Sequence, residues 1–377
     1  MQTIINSKIT KSGIKFVAAV ARRSSLPILE NCHVYANGCF QVTATDLSVT
    51  LQARLPGNTV TEGKVTMPSR ALLDAVAGKN DIQITADEKS IVSILDGGNT
   101  RQVYWLPVDK VPAIPVTPEN AKVVSFPVGK FVECLKAIMA AQSTDESRYV
   151  LQGCYLQLAG GLATFVATDG QRLHVAAMPA ASDLIQSFLI PAQTVKHVLR
   201  IPPDKAATEI TLTSWTVATK TSEDAEISTV NHIRFDSGAF SVISTQIDGN
   251  YPDYKVVIPT EFKHTIPVNI AAFRNAVAVA SKATSDKSNS VKLAFTPGLL
   301  TVTAGNPDTG YASAACPVTF DGEFTSAFNP RYLVEASDAM ALNDAADMAL
   351  NFIDELSLVK ITNAFGRFAV IMPMRLS

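Results

Sequence analysis

The chain has 377 residues, 47% of them hydrophobic and 18% charged, with glycine and proline at ordinary levels. That composition excludes a disordered or fibrous chain and, at the usual ~100–200 residues per domain, implies two or three packed domains. A formal charge of −2 excludes bulk electrostatic capture of nucleic acid, which needs a large lysine and arginine excess.

The opening MQTIINSKITKSG lacks the charged start and apolar stretch of a secretory signal, and no run approaches membrane-spanning length, so a cytoplasmic protein is expected. The first amphipathic pattern is SKITKSGIKFVAAVAR. Lys8, Lys11, Lys15, Arg22 and Arg23 all precede the first acidic residue, Glu30, as either a local basic surface or a solvated helix face. LENCHVYANGCFQVTATD reads as two β segments around the tight turn ANG. MPSRALLDAVAG is a short helix entered through proline, DIQITADEKSIVSIL a second strand pair, and RQVYWLPVDKVP a closing strand. The proline-rich VPAIPVTPENAK that follows reads as a linker.

The same order then returns twice. PVGKFVECLKAIMAAQ, with Phe131, Cys134, Leu135, Ile138 and Met139 on one helical face, leads LQGCYLQLAGGLATFVATDG, IPAQTVKHVLR, EITLTSWTVATKT and NYPDYKVVIP. The third unit is PVNIAAFRNAVAVASK, VKLAFTPGLLTVTAGNPD, NPRYLVEASDAM, MALNFIDELSLVKIT and GRFAVIMPMRLS. By analogy EITLTSWTVATKT should hold a strand pair and NYPDYKVVIP a closing strand. The equivalent Asp46 and Asp169 stand roughly 120 residues apart, a domain-sized period too long for a solenoid. The expected architecture is α+β: three tandem domains, 1–118, 119–260 and 261–377, each with two helices packed on β sheets.

Chemistry-bearing patterns are sparse. Asp46 and Asp169 read either as acid–base carboxylates or, as their repeat-equivalent places favour, as turn caps. Five cysteines without a CxxC pair read as buried reduced thiols. His33, His174, His197, His232 and His264 have no helical metal-site spacing, and there is no GxSxG elbow, phosphate loop or dinucleotide fingerprint. No catalytic residue, metal ligand or cofactor is therefore assigned. Tyr149 in SRYVLQG either stacks on a base or packs in the core.

Three repeats carrying SLPIL, ATDGQRL, YPDYKVVIP and MPMRL in that order resemble the bacterial sliding clamp family, the beta subunit of the replicative DNA polymerase. The resemblance implies a non-catalytic processivity factor with the DNA clamp fold, a head-to-tail homodimer forming a ring around duplex DNA without sequence preference. Its implied partners are the polymerase, the clamp loader and other motif-bearing proteins, and no membrane. Dimer contacts would fall at residues 101–103 and 308–314. Arg23 and Tyr149 match DNA-contacting positions, and Lys11, Lys15, Lys136, Lys196 and Arg200 are candidates on the helices. Ala192 and Gln193 replace basic residues common in relatives, and Glu335 and Asp338 stand beside Arg331, which should weaken DNA contact. These departures motivate a rival reading, a clamp-derived interaction module that does not encircle DNA.

The family's second site is an apolar cleft between the second and third domains that takes short linear motifs. Matching positions are Leu151, Thr168, Gly170, Arg172, Leu173, Pro252, Val257, Val370, Met372, Pro373 and Met374; the alternative is that they only pack one domain against the next. Val256 and Gln171 stand where relatives are often basic. Met372 and Met374 are adaptable anchors, Pro373 stiffens the rim, and Arg172 is expected to donate to a peptide carbonyl or carboxylate. The closing run thus divides into a strand at 368–371 and a groove wall at 372–376, with Ser377 one residue beyond the usual family ending.

Overall fold

In the computed structural model, which describes residues 1–78, 80–87, 90–204, 206–219, 228–284, 289–306 and 310–375, the three repeats follow one plan. Repeat one runs β1 (Gln2–Asn6), α1 (Ser7–Ala18), β2 (Asn31–Ala36), β3 (Phe40–Thr45), β4 (Val49–Leu55), β5 (Asn58–Thr61), β6 (Gly63–Pro68), α2 (Ser69–Ala75), β7 (Asp81–Ala86), β8 (Ile91–Asp96) and β9 (Asn99–Tyr104). Repeat two runs β10 (Lys122–Pro127), α3 (Val128–Ile138), β11 (Gly153–Ala159), β12 (Leu162–Thr168), β13 (Arg172–Pro179), β14 (Gln186–Pro191), α4 (Ala192–Val198), β15 (Glu209–Thr219), β16 (Ser228–Ser237) and β17 (Phe240–Thr245). Repeat three runs β18 (His264–Asn269), α5 (Ile270–Ala280), β19 (Val291–Thr296), β20 (Leu299–Asn306), β21 (Gly310–Pro317), β22 (Phe324–Phe328), α6 (Pro330–Met340), β23 (Asp347–Phe352), β24 (Val359–Thr362) and β25 (Phe368–Ile371).

Packing divides the chain into two compact units, Met1–Gly129 with Gln193–Gln246, and Lys130–Ala192 with Ile247–Ser377. The cut passes through repeat two because its strands are shared between two sheets. The first unit holds the sheet β5-β1-β7-β8-β9 and the eight-stranded sheet β10-β15-β16-β17-β4-β3-β2-β6. The second holds the eight-stranded sheet β14-β11-β12-β13-β25-β24-β23-β18 and the sheet β21-β20-β19-β22. One joining rule appears in both units. The closing strand of a repeat pairs antiparallel with the preceding repeat: β17 on β4, with Ile243 opposite Thr50, and β25 on β13, with Val370 opposite Leu173. β9 and β21 remain at sheet edges.

Helix starts follow from local chemistry. Asn6, Asn269 and Asn329 each turn a side-chain oxygen onto the free N–H groups of α1, α5 and α6. α1 buries Ile14 and Val17 at the apolar spacing read from the sequence. Phe16 meets Phe240 of β17 edge-on, with centroids 5.5 Å apart. In the second unit Phe324 and Phe352 lie 4.8 Å apart at the centre of a phenylalanine cluster.

Several expectations need correction. NYPDYKVVIP is not a strand but a 3-10 turn at Tyr254–Val257, started by the Asp253 side chain, which accepts from the Lys255 N–H. Its flanking prolines remove ladder donors, and the closing strand is β17. EITLTSWTVATKT holds one long strand, β15, and not a pair. The strands that precede the first helix of each repeat, β1, β10 and β18, carry too short an alternation to be read from sequence. Of the expected α3 face, Phe131, Cys134, Leu135 and Ile138 are buried, whereas Met139 falls in a following 3-10 turn and is 36% exposed. Among the described residues no helix is long and apolar enough to cross a membrane.

Candidate functional site

The two Thr-Asp pairs form the same turn. Asp169 Oδ1 accepts from the N–H groups of Gln171 and Arg172 at 2.9 and 3.1 Å, while Thr168 Oγ1 accepts from Gly170 and donates to the Arg172 carbonyl. Asp46 does likewise for Ser48 and Val49, and Thr45 for Leu47. Both carboxylates therefore serve as turn caps. The residue between must adopt positive φ: Gly170 does so at 87° and Leu47 at 76°. At 170 a Cβ would also come within 2.5 Å of the Arg148 guanidinium, which donates to the Asp169 carbonyl, so glycine suits the place.

Beside this turn, within the second unit, lies an apolar cavity of about 200 Å³. Leu151, Thr168, Gly170, Arg172 and Leu173 form one wall. Pro252, just before the 3-10 turn, and Val257 within it form another, and Val370 and Met372 a third. Gln171, Asp253, Tyr254 and Leu358 complete the lining. Tyr254 packs with Val166, Leu173, Val175 and Val370, and behind it Tyr155 and Tyr251 stack with centroids 4.7 Å apart. Sequence reasoning misses Asp253, Tyr254 and Leu358 as lining residues; Tyr254 carries a signal as an aromatic in a proline-bounded loop, Leu358 none. Pro373 and Met374 lie outside the lining, and the Met374 N–H donates to the Ala327 carbonyl at 2.7 Å on β22. Leu376 and Ser377 lie outside the described residues.

Arg172 does not present a free guanidinium to the cavity. It is 4% exposed, and its Nε donates to Asp169 Oδ2 at 3.0 Å. One terminal nitrogen donates to Glu335 of α6 and the other to the Ala140 carbonyl, while its Cζ sits 4.2 Å from the centre of the Tyr332 ring. The expectation that it donates to a bound peptide is therefore corrected: it holds the wall in place. Glu335 also accepts from Arg331 at 2.9 Å. Burial pushes the Glu335 carboxyl up, but hydrogen bonds and charge from Arg172 and Arg331 outweigh it and leave it below the usual carboxylate range. Asp338 pairs with Arg274 at 2.9 Å. Both acidic departures are thus met by cations within the fold.

Basic residues gather in the first unit. Lys15 of α1 and Arg200 after α4 line one groove of about 380 Å³ together with Phe16 and His197. Burial lowers the His197 pKa, and Arg200, Arg22 and Lys196 lower it further against Asp46, so these cations share one electrostatic neighbourhood. Lys196 and Arg23 are exposed, while Lys11 donates to the Ala77 carbonyl at 3.2 Å. Gln193 is exposed at the start of α4 beside half-buried Ala192. Lys136 and Tyr149 belong to the second unit; Lys136 is exposed and Tyr149 is 56% exposed, away from core packing.

Among the described residues no group of three or more His, Cys, Asp and Glu could hold a metal. Burial pushes Cys32 up to about 12 and Cys134 up to about 11, far from the thiolate a nucleophile needs. Cys39 alone of the five cysteines is only half-buried.

Two family models match consecutive stretches of the chain: the DNA polymerase III beta subunit central domain over residues 125–253, and its C-terminal domain over 255–375. The chain belongs to the beta sliding clamp family. Its fold is the three-domain α+β clamp fold, and the family is a non-catalytic processivity factor for DNA polymerase. The beta sliding clamp of Caulobacter vibrioides is 29% identical over 95% of each chain, and that of a Synechocystis species 27% over 100% of each. A solved sliding clamp from Bartonella birtlesii, bound to griselimycin, superposes with a TM-score of 0.87 at 27% identity, covering 100% of both chains.

Proposed function

We propose that two copies of this clamp join head to tail into a ring around duplex DNA, and that the cavity beside Arg172 receives linear motifs of the polymerase, the clamp loader and other partners. The observation that carries the ring is the pair of unfilled edges. Inside the chain the closing strands β17 and β25 pair with the preceding repeat, whereas among the described residues β9 pairs on one side only, and β21, the counterpart of β4 and β13, has no closing strand on it. A second copy satisfies both at once, which removes two exposed edges that would otherwise invite aggregation.

Register follows from the prolines that end β13 and β21 and from those that follow β9 and β25 within three residues. Leu173 lies six residues before Pro179 and Tyr311 six before Pro317; Val370 lies three before Pro373 and Tyr104 three before Pro107. Since Leu173 faces Val370, Tyr311 of one copy should face Tyr104 of the other. Both rings are at least three-quarters exposed in the single chain, at 75% and 78%. Of the segment 308–314, Asp308 and Thr309 lie outside the described residues.

A closed ring is retained on DNA by topology, so the mildly acidic total charge is no obstacle: Arg23, Lys11, Lys15, Lys136, Lys196, Arg200 and Tyr149 need supply only weak phosphate contacts that permit sliding. The cleft, walled by Leu151, Leu173, Val257, Val370 and Met372, suits apolar anchors of an extended segment. The domain limits 1–118, 119–260 and 261–377 and a cytoplasmic location belong to the same reading. Light scattering on the size-separated protein tests it. A dimer at micromolar concentration is expected; a monomer, with or without DNA, overturns the ring.

A further inference from the structure

We infer that Glu335 of α6 is a positioning residue for the partner cleft, acting through Arg172 to hold the turn that forms one wall. The inference rests on the cleft reading above and adds a control element 163 positions from the turn. The connection is continuous. Glu335 Oε2 accepts from an Arg172 terminal nitrogen, and Oε1 is held by Arg331. Arg172 Nε passes the restraint to Asp169 Oδ2, whose other oxygen caps the N–H groups of Gln171 and Arg172. The Gln171 carbonyl in turn accepts from the Met372 N–H at 2.9 Å. Thr168, Gly170, Gln171, Leu173 and Met372 all line the cavity, so their places depend on one buried guanidinium.

That guanidinium carries a charge at 3% side-chain exposure. Asp169 compensates it from the turn itself, and Glu335 is the carboxylate that ties it to another element. With Glu335 removed, Arg172 keeps Asp169 as its only carboxylate and the Ala140 carbonyl as a neutral acceptor, and the nitrogen that served Glu335 must find water or move. The turn then loses its ionic tie to α6, keeping only the Tyr332 ring contact there, without losing its own cap.

The test measures binding of a fluorescein-labelled peptide carrying the polymerase's clamp-binding segment. Glu335→Ala leaves the intrinsic propensity of α6 undiminished, because alanine is the best helix former. Its affinity should fall about tenfold, and Glu335→Gln, which keeps an acceptor for Arg172, should recover part of that loss. Arg331→Ala should bind within about twofold of the wild type, since its exposed pair with Glu335 contributes little. In an Arg172→Met background the Glu335→Ala loss should vanish, because two residues acting through one link are not additive. Should that background not fold, faster amide exchange at Gly170, Gln171 and Met372 in Glu335→Ala is the second readout.

Wild-type affinity in Glu335→Ala, with binding still lost in Met372→Ala, overturns the inference and leaves the cleft standing. An undiminished loss in the Arg172→Met background overturns it as well. If the wild-type protein fails to bind the peptide, the cleft reading falls and this inference with it.

Discussion

The backbone N–H of Met372 donates to the carbonyl oxygen of Gln171 at 2.9 Å, so the residue that follows β25 in repeat three is fastened to the capped turn of repeat two. Met372 itself stays 47% exposed at the mouth of the cavity. An unbranched, polarizable side chain on a fixed backbone can fit partners of differing shape.

Removing residues 372–377 should lower peptide affinity at least about tenfold, or about 1.4 kcal/mol, because anchoring contacts concentrate in few residues. Dimerisation should be unaffected. Fluorescence anisotropy and light scattering on the truncated chain check the two halves, and unchanged peptide binding would move the site elsewhere.

If Tyr104 faces Tyr311 across the subunit boundary, the double variant Tyr104→Cys, Tyr311→Cys should form a covalent dimer on mild oxidation. Directly opposed residues in an antiparallel pair have Cα atoms about 4.5–5.5 Å apart, within disulfide reach. Non-reducing electrophoresis reads the result. Each single variant should stay uncrosslinked, and a double variant that does so too would refute the register.

Arg367 is 5% exposed and donates to Glu133 of α3 at 3.0 Å and to the Leu342 carbonyl. It links repeat two to repeat three as Arg172 does, but away from the cavity. Glu133→Gln should cost about 1–2 kcal/mol in denaturant unfolding, less than a fully buried pair because Glu133 is partly solvated. Peptide affinity measured at low denaturant should not change.

His174 is buried with its Nδ1 2.9 Å from the Ala137 carbonyl; a carbonyl can only accept, so Nδ1 carries the proton. Burial, chiefly, holds its pKa down to about 4 from 6.5, with Arg172 adding to the fall and the Ala137 bond, Glu335 and Asp169 opposing it. As pH falls, the unfolded chain, with the higher pKa, takes up a proton before the folded chain does. The stabilisation is therefore complete above about pH 6.5 and lost as pH falls towards 4, by about 3 kcal/mol in all. His174→Asn keeps a donor for Ala137 but cannot titrate, so its stability should vary less with pH across that window. Equal slopes for the two proteins would contradict this account.

Much of the fold is legible in the chain. Apolar residues three and four apart mark the helices, Asn-Gly and Gly-Gly turns mark the hairpins, and the recurrence of Thr-Asp at Asp46 and Asp169 exposes the repeat. NYPDYKVVIP misleads because Val256, Val257 and Ile258 look like a strand, whereas Asp253 as a cap and prolines on both sides decide for a turn. Arg172 stands out in the sequence within ATDGQRL, but its internal hydrogen bonds do not. Its partners Glu335 and Ala140 lie 163 and 32 positions away, and no local pattern reports such contacts. Leu358 reaches the cavity from the segment before β24, a placement set by sheet order alone.

Retention on DNA of different topology tests the ring most directly. After loading onto nicked circular DNA, the protein should stay bound through gel filtration in moderate salt and should leave when a single cut linearises the same molecule. Equal loss from the circular and linear forms would contradict encirclement, and would favour a motif-binding protein that never surrounds its template.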